Sequence, residues 1–308
     1  MTTIGPSTPG TAWFLDGISK IQAQQTEVQR QLSSGFRVQD AADSPAQTPE
    51  LIRLGSTLAA VQDWQANLGR VQTEVSTADQ ALGSAITLIQ NAQTLAVQAA
   101  NATTTAQGRL TIAAKIQDIQ QQLVSLANTT QEGRYIFGGD QDQSPPYAWN
   151  QASATGADSL TVSGSDRIIT DTQGQAVYHG LTARSIFDPV DAAGMPTSTN
   201  TFAALQSLVV ALQAGDAPGI ASALTSLHTA ADHVIQQQAW YGAAEQRVSA
   251  EQSRASSQIT AIQIRIAGIR DTDVVRAATQ LTQLNTDQAA ALAAQASIPR
   301  KSLFDYLG

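Results

Sequence analysis

"LHTAADHVIQQQAWYGAAEQRVSAEQSRASSQITAIQIRIAGI", Leu227 to Ile269, is the most regular stretch of the chain. Leu227, Ala231, Val234, Gln238, Tyr241, Glu245, Val248, Gln252, Ala255, Ile259, Ile262, Ile266 and Ile269 alternate four and three apart without a slip. That spacing keeps one stripe on one face of a helix and is the repeat of a coiled-coil seam. Gln238, Glu245 and Gln252 are polar, which would be costly inside a closed dimeric coiled coil. Either the seam is only half buried there, or these residues face partners or water.

Working outward, the pattern predicts more helices. Upstream, "TFAALQSLVVALQAG" spans Thr201 to Gly215 and ends in a Gly/Pro break. Ile112, Ile116, Ile119, Leu123 and Leu126 mark a helix closed by Gly133, with "NATTTAQGR" as the turn before it. A longer helix is expected from Thr48 to about Ala102. Thr48 would be its cap and Pro49 its first residue. Its seam runs Val75, Ala78, Leu82, Ala85, Ile89, Ala92, Ala96 and Ala99. Leu51, Leu54, Leu58 and Val61 look out of phase with it by a three-residue step, which would overwind the helix near Trp64. At 1.5 Å per residue this element would be roughly 80 Å long, a rod rather than a compact core.

Between these helices, Tyr135 to Pro196 carries Gly, Pro and short β-rich runs, with "TDTQGQAVY" as a hairpin turn and "DQSPPYAWNQASATGADS" as loop. Downstream of the seam, Gly268, Asp271 and Asp273 punctuate, and a last helix runs from Val274 to the break at Pro299. A counterpart break, "LSSGFRVQDAADSPAQ" (Leu32 to Gln47), separates a first helix, Thr11 to Leu32, from the long one. The expected fold is mainly α: an elongated antiparallel helical bundle or coiled coil formed by both chain halves, with a small β-rich insertion in the middle. Three parts follow: residues 1–34 with 274–308, residues 35–134 with 200–273, and the insertion at 135–199. Ser33, Ser34, Gly35, Asp43 and Pro45 would form the domain connector.

Composition fits this plan. Hydrophobic residues make up 42% of the 308, aromatics only 5% and charged residues 14%. The net charge of −8 argues against a nucleic-acid surface, which needs clustered Lys and Arg. Cysteine is absent, so there is no disulfide, thiolate metal site or cysteine nucleophile. Many bacterial proteins lack Cys; its absence also suits a chain that reaches an oxidising exterior unfolded. "MTTIGPSTPGTAWFLDGIS" has no basic residue before Lys20 and no secretory h-region, and no apolar stretch is long enough to span a membrane.

The sequence offers little chemistry. His179, His228 and His233 have no metal-ligand spacing; the last two are five apart, on different helix faces. Asp271 and Asp273 read as a helix-boundary turn with an N-cap. No G-x-S-x-G, P-loop, G-x-G-x-x-G or H-E-x-x-H occurs, and Gly138-Gly139 reads as a turn. No catalytic, cofactor or metal residues are assigned, and no enzyme is expected.

Several segments together resemble the flagellin superfamily. Ser33, Ser34, Gly35, Ala42, Asp43 and Pro45 fall on its N-terminal signature, with Phe36 and Ser44 departing from the common pattern. "GRYIFGGDQDQSPPY" and "DTDVVRAATQLTQLNTDQAAALAAQASIPRKSLFDYL" are similar to the hook-associated protein 3 family within it. The resemblance implies an exported axial protein of the bacterial flagellum at the hook–filament junction, leaving through the type III channel without signal cleavage. The implied partners are neighbouring copies, a hook-side junction protein, flagellin, a cytoplasmic export chaperone and the type III export apparatus, with no membrane insertion. The alternative within the superfamily is a short flagellin that builds the filament itself. A secreted enzyme on a helical scaffold would have to place its chemistry in Tyr135 to Pro196, which has few acid–base groups.

On this reading Ile18, Ile21, Val28, Leu32, Leu281, Leu284, Leu292, Leu303, Phe304, Tyr306 and Leu307 are the candidate assembly or chaperone contacts. Each buried large apolar side chain returns about 1.5–3 kcal/mol, whereas ordering each residue costs about 1–2 kcal/mol of backbone entropy. Isolated helices of this length are marginal. Met1 to Leu32 and Ala277 to Gly308 are therefore expected to be disordered in the monomer and to become helical on assembly.

Overall fold

The computed structural model describes residues 9–101, 103–161, 165–171 and 174–297. The chain divides into two compact units, residues 1–60 with 258–308 and residues 61–257. Most described residues are helical: α1 (Pro9–Ser34), α2 (Thr48–Ala100), α3 (Ala106–Ala127), α4 (Ala183–Phe187), α5 (Thr201–Ala214), α6 (Ala217–Arg270) and α7 (Val274–Ser297). The strands form three separate antiparallel ribbons in the middle of the chain: β1 (Thr130–Gln131) with β2 (Arg134–Tyr135), β3 (Tyr147–Trp149) with β4 (Ala157–Ser159), and β5 (Arg167–Thr170) with β6 (Ala176–Gly180).

In the 61–257 unit, long helices from both chain halves run antiparallel. The hydrogen bonds Gln65–Ser256 (2.8 Å), Gln72–Glu245 (2.8 Å) and Gln93–Leu227 O (3.2 Å) show it, because α6 numbers fall as α2 numbers rise. The α6 seam is buried at Leu227, Val234, Tyr241, Val248 and Ala255. Its polar members Gln238, Glu245 and Gln252 are half-buried, and Glu245 accepts the amide of Gln72. The half-buried alternative is the one the fold uses.

The expected phase step in α2 is absent. Leu54, Val61, Leu68, Val75, Leu82, Ile89 and Ala96 are all buried, at strict sevens along one unbroken helix. Leu51 and Leu58 lie on the flank of that stripe and are half-buried. The apparent slip came from counting flank leucines as seam. Thr48 does not cap either. Its N–H donates to Ser44 O (3.1 Å) and its hydroxyl donates to Ser44 O (2.9 Å) and Ala41 O (3.3 Å), so the turn begins before it.

Gly133 does not close α3. That helix stops at Ala127 with Asn128 as its C-cap. Glu132 (φ 50°) and Gly133 (φ 78°) instead make the two-residue turn of the β1–β2 hairpin, where positive φ at both positions matches the strand twist. The segment expected to be all loop holds β3 and β4, pinned by Asn128, which bonds Tyr147 on both its N–H (3.0 Å) and its carbonyl (2.7 Å). Gly138-Gly139 is a turn, as expected, opening a short 3-10 stretch at Gly139–Gln141. Gly268 does not break α6, which continues to Arg270.

The core of this unit carries most of its aromatic content. Phe137 meets Phe187 and Tyr241 edge-on, with centroids 6.2 and 6.1 Å apart, and Tyr147 meets Phe202 at 5.2 Å. Buried tyrosine hydroxyls find partners: Tyr147 donates to Asp188 (3.1 Å), Tyr178 donates to Glu74 (3.2 Å), and Tyr241 accepts from Leu181 N–H (3.2 Å). Burial pushes all three phenols well above their usual range.

Candidate assembly surface

The unit made of residues 1–60 and 258–308 is built differently. α1 and α7 pack on each other through Val28, Ala277 and Leu284, which are buried, with Ile21, Leu32 and Leu281 half-buried around them. Gln25 extends the contact by donating to Asn285 and Gln288, each at 3.0 Å. Val28 and Leu284 are thus covered by the chain itself. Ile18 is half-buried and Leu292 is exposed. The expected contacts Leu303, Phe304, Tyr306 and Leu307 lie outside the described residues. Periodicity missed two large apolar side chains, Trp13 and Val275, which are 81% and 78% exposed. They sit off the counted stripes, and only a side-chain census would have found them.

The connector is a hydrogen-bonded loop. Gly35 takes φ 76°, a conformation that costs an L side chain. Ser34 Oγ accepts the Phe36 N–H (3.1 Å). The next residues join the α6–α7 corner: Thr272 N–H donates to Gly35 O (2.9 Å), and Arg37 N–H donates to Arg270 O (2.7 Å). The Arg37 guanidinium reaches Ile269 O (2.7 Å), and Arg270 lies over the Phe36 ring, 4.2 Å from its centroid. Phe36, off-pattern in the family signature, has a structural use here.

Asp43 organises the second half of the loop. Its Oδ2 accepts the N–H groups of Gln39 (2.9 Å) and Asp40 (3.0 Å), and its Oδ1 accepts Arg30 Nη2 (2.9 Å). The backbone N–H groups of Asp40 and Gln39, then Arg30, hold its carboxyl below the usual carboxylate range. Glu27 grips the same guanidinium through both oxygens, and Arg30 in turn lowers the Glu27 carboxyl. Ser33 only back-bonds to Arg30 O, and Pro45 is exposed. Sequence reading thus found the members of the connector but not the Arg30 clasp. At the far side of the corner, Asp273 caps α7 by accepting Arg276 N–H (3.0 Å), as its expected N-cap role requires.

Nothing here is arranged as a reaction centre. His179 pairs with Asp166 (2.9 Å), His228 bonds Leu224 O (2.8 Å) and His233 bonds Ser185 O (2.9 Å). Among the described residues no group of three metal-ligating side chains comes together, and no helix is long and apolar enough to cross a membrane.

Two family models match the chain: the bacterial flagellin N-terminal helical region over residues 13–142 and the bacterial flagellin C-terminal helical region over residues 224–307. The chain belongs to the bacterial flagellin family. Within that family it is similar to the flagellar hook-associated protein 3 of Escherichia coli, 32% identical over 203 residues, which is 64% of this chain and 62% of that protein. The match therefore spans about three-fifths of the relative's length. Two solved structures share the fold. FlgL of Bacillus cereus has a TM-score of 0.57 at 20% identity, covering 70% of this chain and 99% of that one. The flagellar hook-associated protein 3 of Legionella pneumophila has a TM-score of 0.58 at 12% identity, covering 72% and 99%. The two matched flagellin regions hold the paired terminal helices and the connector described above.

Proposed function

We propose that the chain is a structural axial component of the flagellum that joins hook to filament and serves as the platform on which flagellin assembles. The observation that carries this is its similarity to the hook-associated protein 3 of Escherichia coli, on the background of flagellin-family membership. No catalytic activity is part of the role. The chain is exported unfolded through the type III apparatus, with a cytoplasmic chaperone and without signal cleavage. It then stands outside the cell between a hook-side junction protein, flagellin and copies of itself.

A three-part division serves this role. Residues 1–34 with 274–308 line the inner tube, 35–134 with 200–273 form the bundle, and 135–199 faces outward. The thin α1–α7 contact and the exposed Trp13, Leu15, Val275 and Leu292 support a terminal region that finishes its burial against other subunits. Ile18, Ile21, Leu32 and Leu281 supply half-buried apolar edges to the same contact. Ser302 to Gly308 serve as an assembly or chaperone anchor. The connector of Ser33, Ser34, Gly35, Asp43 and Pro45 lets the parts order separately.

Electron microscopy of a deletion strain tests the role. Hooks without filaments, with flagellin lost to the medium, are expected; hooks that still carry filaments would overturn it. In sheared filaments the chain should be a trace component, and abundance there would mark a filament flagellin instead.

A further inference from the structure

A cavity of about 400 Å³ opens in the 61–257 unit between α2, the β1–β2 hairpin and β5. Arg70, Arg134 and Arg167 all line it. Two of them are neutralised: Arg167 pairs with the buried Glu74 and Arg134 with the buried Asp142. Arg70 has no ion pair among the described residues. Two further atoms in the wall are buried without a hydrogen-bond partner, the Arg167 Nε–H and the side-chain oxygen of Gln131. Unpaired buried polar atoms cost about 1–3 kcal/mol each, so the wall is short of a ligand that brings acceptor oxygens.

We propose that this cavity is a socket for the carboxylate of a Glu or Asp side chain from a second copy of the chain. One carboxylate oxygen would meet the Arg70 guanidinium and the other the Arg167 Nε–H. The Gln131 amide, whose oxygen and nitrogen exchange by a flip, would turn its NH₂ inward. Three features favour a tethered side chain over a free anion. Glu132 also lines the cavity, so with Glu74 and Asp142 the three arginines are balanced and net charge draws no free anion in. The volume exceeds what a bare carboxylate fills, and Val71, Ile168 and Ile169 offer an apolar wall to a methylene stem. A neighbouring subunit already held in an array presents its side chain at high effective concentration. The proposal rests on the reading that copies of this chain stand side by side, and the test separates the two.

The full chain, carrying the photo-crosslinking residue p-benzoylphenylalanine in place of Ile168, is expressed in the deletion strain. Ile168 lines the cavity and is 56% exposed. Swimming reports assembly; mass spectrometry of irradiated flagella reports what occupies the cavity. Swimming with a crosslink between two copies, into a segment bearing Asp or Glu, is expected. Adding Arg70→Glu should cut that crosslink about tenfold, as loss of a docked charge pair does, while Arg70→Lys retains part of it. Circular dichroism of the purified variants should be unchanged, because Arg70 is exposed. Swimming without that crosslink, with a crosslink to a different protein or to a segment without acids, or with one that ignores Arg70→Glu, overturns the socket and leaves the junction role intact. Wild-type chain that never enters flagella overturns the junction role and the socket with it.

Discussion

The α1–α7 pair and the core of the 61–257 unit solve the same problem with unequal means. The pair buries Val28, Ala277 and Leu284 along two helices of 26 and 24 residues. The core packs leucines, isoleucines and edge-on aromatics from α2, α3, α4, α5 and α6 into one continuous cluster, with the three buried tyrosine hydroxyls satisfied. Both regions are regular helix. What separates them is how many neighbours each helix has within its own chain. A helix with one partner buries one stripe, while a helix between several partners buries most of its circumference. Helical order in the terminal pair therefore depends on contacts from elsewhere, whereas the core carries its own.

The largest effect should come from the core. Phe137→Ala removes a fully buried ring that touches Phe187 and Tyr241, and should cost about 3–5 kcal/mol in urea unfolding. A loss below about 1 kcal/mol would mean the core tolerates cavities and would break the contrast. In hydrogen exchange on the free protein, amides of α3 and α5 should outlast those of α1 and α7 by about a hundredfold. Equal protection would show that the terminal pair stands on its own.

Gly35→Ala forces a side chain into φ 76° and should cost about 1 kcal/mol in connector stability, with Gly35→Asn costing less. Local exchange at residues 35–43 reads it. Leu284→Ala should shift the main urea transition by less than about 0.5 kcal/mol, since the pair is outside the core, yet reduce filament attachment. A large shift would make the pair part of the same cooperative unit. The smallest effect is acid loosening of the connector. The Asp43 and Glu27 carboxyls are lowered in the folded chain, so their contribution is full above the ordinary carboxylate pKa and is lost as pH falls through the lowered values. Amides of Gln39 and Asp40 should exchange faster relative to α3 in that acid range, and Asp43→Asn should remove the pH dependence.

Much of the helical plan was legible because a seam repeating by sevens leaves its mark in one dimension. The α6 stripe, the α5 stop at Gly215 and the Asp273 cap all act within a few residues of themselves. The misreadings have a common cause. Leu51 and Leu58 carry the right residue type one position off the seam, and only the burial of Leu54 and Val61 separates flank from stripe. Thr48 has the chemistry of a cap but hydrogen-bonds backward to Ser44. Gly133 has the chemistry of a helix stop but serves a hairpin.

By itself the sequence determined which segments are helical, where the chain turns, and the family signature at Ser33 to Pro45. These depend on local propensity and on a period that a single chain displays. Tertiary structure alone decided that Arg30 and Asp43 clasp the connector, that Phe36 stacks under Arg270, and that Glu74 on α2 meets Arg167 on β5. Those contacts join residues whose separation in the chain carries no pattern. Their partners are chosen by which faces the folded helices bring together, and no count along the sequence contains that choice.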